Sequence, residues 1–187
     1  MIPHLIVITL VLSQLPLPLN DKVVEFARSN LGRKVGDGEC TALASEALRA
    51  AGASDRPPWG DLLMNLADAR PGDILLFENV VFLQRKVRDD GAVVRQTLKS
   101  PRHAAIVSAV ERVGKDLRLT VLHQNSGLKR ADEEAKKTVQ EWTFRLSEKK
   151  SGTLKVYRPV VPGAARPPQT RQAISISELG VWAKYVT

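Results

Sequence analysis

The sequence contains few of the residues that form covalent or metal cross-links in proteins. Cys40 is the single cysteine among 187 residues, so no disulfide can form within the chain. One cysteine and three histidines that lie far apart in the sequence do not make the ligand set of a zinc site. We therefore expect a fold that rests on packing alone, with no bound metal and no other cofactor.

Aromatic residues are scarce, and the chain has no motif typical of a nucleic-acid-binding protein. Phe, Trp and Tyr make up 5% of the residues, and no zinc finger, RNA-binding aromatic motif or basic helix with heptads occurs. The formal net charge of +8 favours anionic surroundings such as a cell-wall polymer, but the basic residues are scattered along the chain. We therefore expect no nucleic-acid partner.

Long apolar runs are also missing. The apolar run at residues 5–12 is too short to cross a bilayer as a helix, so we expect no stable membrane span. This run fits the hydrophobic region of a secretory signal within residues 1–19, and an apolar N-terminal arm is the alternative because no basic residue precedes the run. We predict an exported bacterial protein that is periplasmic, envelope-bound or secreted.

The period of the apolar residues changes from helical to strand-like near residue 73. The sequence predicts a helix with Asn20 as its N-cap, a second helix over residues 40–52 and a short third helix over residues 62–67. Helices followed by a mainly antiparallel sheet define an α+β domain. Strand-like runs occupy residues 73–78, 103–113, 117–125, 138–146 and 153–159.

Two further segments are predicted to lie outside the regular structure. Residues 79–102 are strongly basic and are interpreted as a solvated loop, with a lid over a cleft as the alternative. Residues 160–187 begin with a Pro-rich linker and end in a short tail. We therefore assign one domain to residues 20–159 and expect a monomer.

The positions of Cys40 and two histidines suggest chemistry. Cys40 opens the second predicted helix, where unpaired N–H groups lower the pKa of a thiol. His103 begins one predicted strand and His123 ends the next, so a hairpin turning at Gly114 would bring both imidazoles to one edge of the sheet. The alternative is that Cys40 only fills space in an Ala/Leu helix and that the histidines serve packing.

Four segments resemble, in the same order, motifs of the cysteine peptidase superfamily that includes NlpC-type peptidases and CHAP amidases. The resemblance covers residues 21–158 and implies a papain-like α+β fold. Glu39 stands where NlpC-type enzymes have Asp, and no Tyr precedes the cysteine. The segments are "GECTALASEALRAAG" for the nucleophile helix, "RPGDILLFE" for the Pro-Gly-Asp strand, "HAAIVSAV" for the histidine strand and "VLHQNSG" for the third catalytic position.

The resemblance assigns a role to each of these positions. Cys40 would be the nucleophile and His103 the general base and then acid, the two sharing a proton as a thiolate–imidazolium pair. His123 would orient the His103 ring, and Gln124 and Asn125 would provide polar support nearby.

Two residues outside this set are also singled out. Trp59 follows two prolines and either lines a substrate groove or sits at the edge of the core. Asp73 of the Pro-Gly-Asp motif is interpreted as a structural residue at a turn.

The resemblance implies a thiol-dependent amidase or peptidase that cleaves an amide bond in cell-wall peptidoglycan peptides. A catalytically weak envelope binding module with the same fold is the alternative.

Overall fold

The computed structural model describes residues 17–88, 90–126 and 133–163, which form helices and one six-stranded sheet. The strand order is β1-β6-β2-β3-β4-β5, and every neighbouring pair is antiparallel. The α+β class predicted from the sequence is therefore confirmed. The elements are α1 (Leu19–Ser29), α2 (Cys40–Ala51), β1 (Asp61–Leu62), β2 (Ile74–Val87), β3 (Val93–Val113), β4 (Asp116–His123), α3 (Glu133–Lys136), β5 (Gln140–Arg145) and β6 (Lys149–Arg158), with short 3-10 turns at Leu66–Asp68 and Leu146–Glu148.

The sheet separates two layers of side chains, because successive residues of a strand point to opposite faces. The face that α1 and α2 cover is called the helix-side face, and the opposite face is called the aromatic face. Burial of each large aliphatic side chain contributes roughly 1.5–3 kcal/mol. The helix-side layer contains Val23, Leu43, Leu48, Ile74, Ile106 and Leu122 among others. The aromatic layer contains Phe77, Phe82, Phe144, Leu119 and Val121, with Trp142 packed against them.

The start of α1 differs from the prediction that Asn20 is an N-cap. Pro18 holds that position, and Asn20 lies within the first turn with only 5% of its surface exposed. Its amide donates to the Pro71 carbonyl at 3.0 Å and to Asp73 Oδ1 at 2.8 Å. Asp73 is fully buried and also accepts from the Arg158 guanidinium at 3.0 and 3.2 Å. The structural role predicted for Asp73 is confirmed, and this cluster joins α1 to the sheet.

The prediction of a solvated loop over residues 79–102 is wrong. β2 and β3 continue through this segment as paired strands, from Val80↔Ser100 to Val87↔Val93. We call residues 79–102 the arm. Phe82 and Leu98 point to the aromatic face of the arm and are buried in the aromatic layer. In the sequence, the basic residues between the apolar ones made this alternating pattern hard to recognise.

The short third helix predicted over residues 62–67 is also wrong. β1 pairs with β6 there, a 3-10 turn follows, and Met64 is 95% exposed. The pairing of Leu62 with Tyr157 and the hydrogen bond from the Leu63 N–H to the Val156 carbonyl at 2.8 Å hold this segment extended, and Leu63 and Leu66 pack against the aromatic layer without a helix.

The predicted boundaries at residues 19/20 and 159/160 stay predictions. Leu19 packs against the helix-side core, and the Ser54 N–H donates to the Val160 carbonyl at 2.9 Å. Residues 1–16 of the predicted leader and residues 164–187 of the predicted tail lie outside the described residues. No helix in the described part of the chain is long and apolar enough to cross a membrane.

Candidate active site

Cys40 is the first residue of α2, as the sequence predicts. Gln124 forms hydrogen bonds with the loop that precedes Cys40. Gln124 is fully buried, and its amide donates to the carbonyls of Val35 at 2.8 Å and Glu39 at 2.7 Å. Its Oε1 accepts from the Val35 N–H at 3.2 Å. These contacts engage both the nitrogen and the oxygen of the amide, so Gln124 positions the start of α2, and its predicted place as a binding residue stays a prediction.

Asn125, two residues after the end of β4, supports the same loop through Glu39. Its backbone takes a left-handed conformation with φ of 51°, which Asn tolerates better than most residues. Its side-chain nitrogen donates to Glu39 Oε2 at 2.7 Å, next to Cys40 in the chain. The polar support predicted for Asn125 is therefore directed at the residue that precedes the thiol.

His103 and His123 meet at the end of the β3–β4 hairpin, which turns at Gly114 as predicted. The hairpin is paired from Val113↔Asp116 to Ile106↔Leu122, and the two histidines lie just beyond the last pair. His103 Nε2 lies 3.3 Å from His123 Nδ1, and the rings are nearly perpendicular at 82°. One nitrogen of each ring is used in this contact, which leaves His103 Nδ1 for another partner.

The two imidazoles lie on the aromatic face. The His103 ring centroid is 5.8 Å from that of Phe77, and the His123 centroid is 6.3 Å from that of Trp142. Burial in these surroundings lowers the pKa of His103 from its ordinary value of 6.5 to about 4. His103 is therefore neutral at pH 7 and can accept a proton.

The Cys40 thiol lies on the helix side of the sheet, next to Ala104 of β3. Cys40 is partly buried and packs against the helix-side core, and the backbone N–H of Ala104 is near enough to lower the pKa of its thiol. Backbone N–H groups of a strand lie in the plane of the sheet. The sulfur therefore lies beside the edge of β3, one residue from His103, where the pairing with β4 has ended.

The protonation of this site differs from the thiolate–imidazolium pair that the sequence suggested. Burial raises the pKa of the Cys40 thiol, the Ala104 N–H lowers it by less, and the Glu39 carboxylate raises it further. With the pKa of His103 lowered to about 4, the resting form at pH 7 is a neutral thiol and a neutral imidazole. Partial desolvation of both groups is the physical reason, since it disfavours each charged form.

Trp59 does not line a groove. Its side chain is 3% exposed and belongs to the helix-side core, so a substrate-contacting role is replaced by the core role that the sequence left open. A ring enclosed by aliphatic side chains has no face left for a ligand.

Two contacts, one next to Cys40 and one in the structural cluster around Asp73, could not be inferred from residue types. The Ala104 N–H is a backbone donor, and nothing in an alanine marks it. The Arg158 guanidinium donates to the buried carboxylate of Asp73, which lies 85 positions earlier in the chain. The sequence placed Arg158 only at the end of a predicted strand.

A helix that begins with a cysteine, packed on an antiparallel sheet whose neighbouring strand carries a buried histidine, is the arrangement of a cysteine proteinase-type domain. The sequence model of the family described as the AIM3/BBC1 cysteine proteinase-fold domain matches residues 12–165. The chain belongs to this family. No curated protein and no solved structure matched the chain significantly. Membership supports a papain-like fold, without distinguishing the NlpC or CHAP branches.

Within the described part of the chain, no three His, Cys, Asp or Glu side chains converge as a metal site would require.

Proposed function

We propose that this chain is a thiol-dependent hydrolase of amide bonds, with Cys40 as nucleophile, His103 as general base and His123 as the residue that orients His103. The observation that carries the proposal is the 3.3 Å contact between His103 Nε2 and His123 Nδ1, one residue from Ala104, whose backbone N–H lowers the pKa of the Cys40 thiol. The AIM3/BBC1 family description is consistent with a peptidase fold.

The proton positions follow from the roles. If His103 Nδ1 accepts the thiol proton, then His103 Nε2 carries the ring hydrogen and donates it to His123 Nδ1. His123 in turn keeps its own hydrogen on Nε2. The 3.3 Å contact supports this assignment, in which His103 Nε2 is the donor and His123 Nδ1 the acceptor.

The reaction proceeds from neutral partners. Cys40 Sγ attacks the carbonyl carbon while its proton passes to His103 Nδ1, and the new C–S bond forms as the carbonyl oxygen gains charge. His103 then gives that proton to the leaving nitrogen as the C–N bond breaks. Water, deprotonated by the same imidazole, attacks the thioester carbon and releases Cys40 as the thiol.

Substrate class is proposed from the resemblance to NlpC-type and CHAP enzymes. Short peptides, including the cross-peptides of peptidoglycan, are the substrates to test first. Action outside the cytoplasm is proposed on the apolar run at residues 5–12 and the net charge of +8.

The test is trapping and turnover with matched variants. The full chain is incubated with a peptide library and with a peptide vinyl sulfone, and products and adducts are measured by mass spectrometry. We expect cleavage and an adduct on Cys40, with Cys40→Ala and His103→Gln each losing roughly a thousandfold or more and His123→Ala keeping a measurable fraction. Ser108→Ala, a buried polar change on the same strand, should keep most activity. Equal activity in Cys40→Ala would overturn the proposal.

A binding module with the same fold is the second candidate, and one observation favours it. The raised pKa of Cys40 keeps the thiol protonated and weakens it as a nucleophile. Domains of this family are often non-catalytic. Retained peptide binding without turnover or adduct formation would support this candidate.

A further inference from the structure

The arm carries a surface that the chemistry at Cys40 does not use. Residues 79–102 contain six Lys or Arg residues and two Asp residues. One face of the arm buries Val80, Phe82 and Leu98 in the aromatic layer. The residues that alternate with them point to the helix-side face. Basic residues that are spread along the sequence therefore lie on one face of the arm. The exposed basic residues there are Arg85, Arg95, Lys99 and Arg102.

Of these four cations, Arg102 lies opposite Glu78 in the β2–β3 ladder, and the other three have no acidic residue opposite them there. Among the described residues, none of them makes a hydrogen bond or an ion pair, whereas Arg88 faces Asp90 at 3.8 Å. Arg85 and Arg95 lie directly opposite each other in the β2–β3 ladder. Like charges at such a position destabilise a sheet, so folding alone does not account for this pair.

The same segment has an open backbone edge. β3 is paired with β4 only from Ile106 onwards, and residues 93–103 are paired with β2 alone. One row of N–H and C=O groups along the arm therefore has no strand partner within the described residues. From Arg95 to Ala104 this edge is about 30 Å long at the rise of a strand, which is the length of about nine extended residues.

We propose that this edge binds an extended acidic polypeptide, which adds to β3 as a further strand along residues 93–102. Main-chain hydrogen bonds would supply affinity, and carboxylates on one face of the added strand would meet the four cations. The edge runs towards Ala104, whose backbone N–H lowers the pKa of the Cys40 thiol, so the bound chain would approach the candidate active site. The surface does not require that Cys40 be a nucleophile.

The complementary segment comes from another protein and not from this chain. Residues 1–16 contain no Asp or Glu, and residues 164–187 contain one Glu against two Arg and one Lys. Residues 127–132 carry one Asp against one Lys and one Arg. A second copy of a chain with a net charge of +8 is equally unsuited.

The binding test uses the full chain with Cys40→Ala, so that no cleavage consumes the probe. A fluorescein-labelled ten-residue peptide of alternating Glu and Val is titrated at low salt and followed by anisotropy. A second peptide has Pro in place of every other Val, which keeps the charge and removes backbone donors. We expect the Pro peptide to bind at least about fivefold more weakly. Equal affinity of the two peptides would overturn strand addition.

A pair of variants then locates the site. Arg95→Glu with Lys99→Glu reverses two charges on the arm, and Arg112→Glu with Lys115→Glu makes the same charge change at the other end of β3. We expect the arm variant to lose about tenfold or more in affinity and the control less than about twofold. The arm variant should stay folded, because Glu at position 95 would face Arg85.

Two results would overturn the proposal. Equal losses in both variants would mean that only net charge matters. Tighter binding of a single-stranded ten-nucleotide DNA, weakened by the arm variant alone, would assign the surface to nucleic acid.

Discussion

The buried imidazole of His103 makes the stability of the domain depend on pH between 7 and 5. Burial lowers the pKa of His103 from 6.5 to about 4. As the pH falls, the unfolded chain therefore binds this proton first. The stability that comes from keeping His103 neutral is complete above pH 6.5 and is lost progressively as the pH falls towards 4.

The two pKa values set the size of the effect. At pH 5 their difference lowers the free energy of unfolding by about 2 kcal/mol, and at pH 7 by about 0.2 kcal/mol. From pH 7 to pH 5, protonation linked to His103 therefore lowers the free energy of unfolding by about 1.8 kcal/mol. The total free energy of unfolding for a domain of this size is on the order of 5–15 kcal/mol. Such a change is large enough to measure.

The measurement is urea unfolding at pH 7 and pH 5, followed by tryptophan fluorescence and circular dichroism. The control is His103→Gln, which keeps a polar side chain of similar size and does not titrate. Each protein is compared with itself at the two pH values, so a difference in starting stability cancels. The wild-type protein should lose about 1.8 kcal/mol more than the variant.

Equal losses in the two proteins, within about 0.5 kcal/mol, would refute the reasoning. That result would mean that His103 accepts a proton in the folded state as readily as in the unfolded chain. A histidine with an ordinary pKa would be partly charged near pH 6.5, while the raised pKa of Cys40 would still keep the thiol protonated.

Three other predictions follow from the structure. Alkylation of Cys40 by iodoacetamide should rise with pH to an inflection above 9, because burial raises the pKa of the thiol; a plateau below pH 7 would contradict this. Asp73→Ala should cost about 3–5 kcal/mol in urea unfolding because it leaves buried partners unpaired, whereas Asp55→Ala removes an exposed pair and should cost under about 1 kcal/mol. Phe144→Ala should cost about 3–5 kcal/mol, since Phe144 is 1% exposed within the aromatic layer; a cost below about 1 kcal/mol would show that this layer is loosely packed.

The elements with strong local signals were predictable. Cys40 begins a helix that ends at Gly52, whose φ of 79° suits glycine, and the helical spacing of alanine and leucine marks that span. The β3–β4 hairpin was readable because two apolar runs flank Gly114, and hairpin pairing by itself brings His103 and His123 together. These features depend on interactions between residues that are close in the sequence.

The arm shows where such signals mislead. Basic residues alternate with Phe82 and Leu98, and their charge suggests a solvated loop. Strand pairing there depends on the aromatic layer beneath it, to which residues from β4 and β5 contribute. Propensity for a strand is a property of this packing more than of the segment itself.

By itself, the amino-acid sequence determined the order of helices and strands, the place of Cys40 at a helix start and the pairing of two histidines, because periodicity and turn residues act locally. The tertiary structure decided that Trp59 is core, that Gln124 holds the loop before Cys40, that His103 and Cys40 rest as neutral groups and that the cations of the arm share one face. The burial of a side chain, and the face of the sheet on which it lies, depend on which segments distant in the sequence pack against that sheet. No local sequence pattern contains that information.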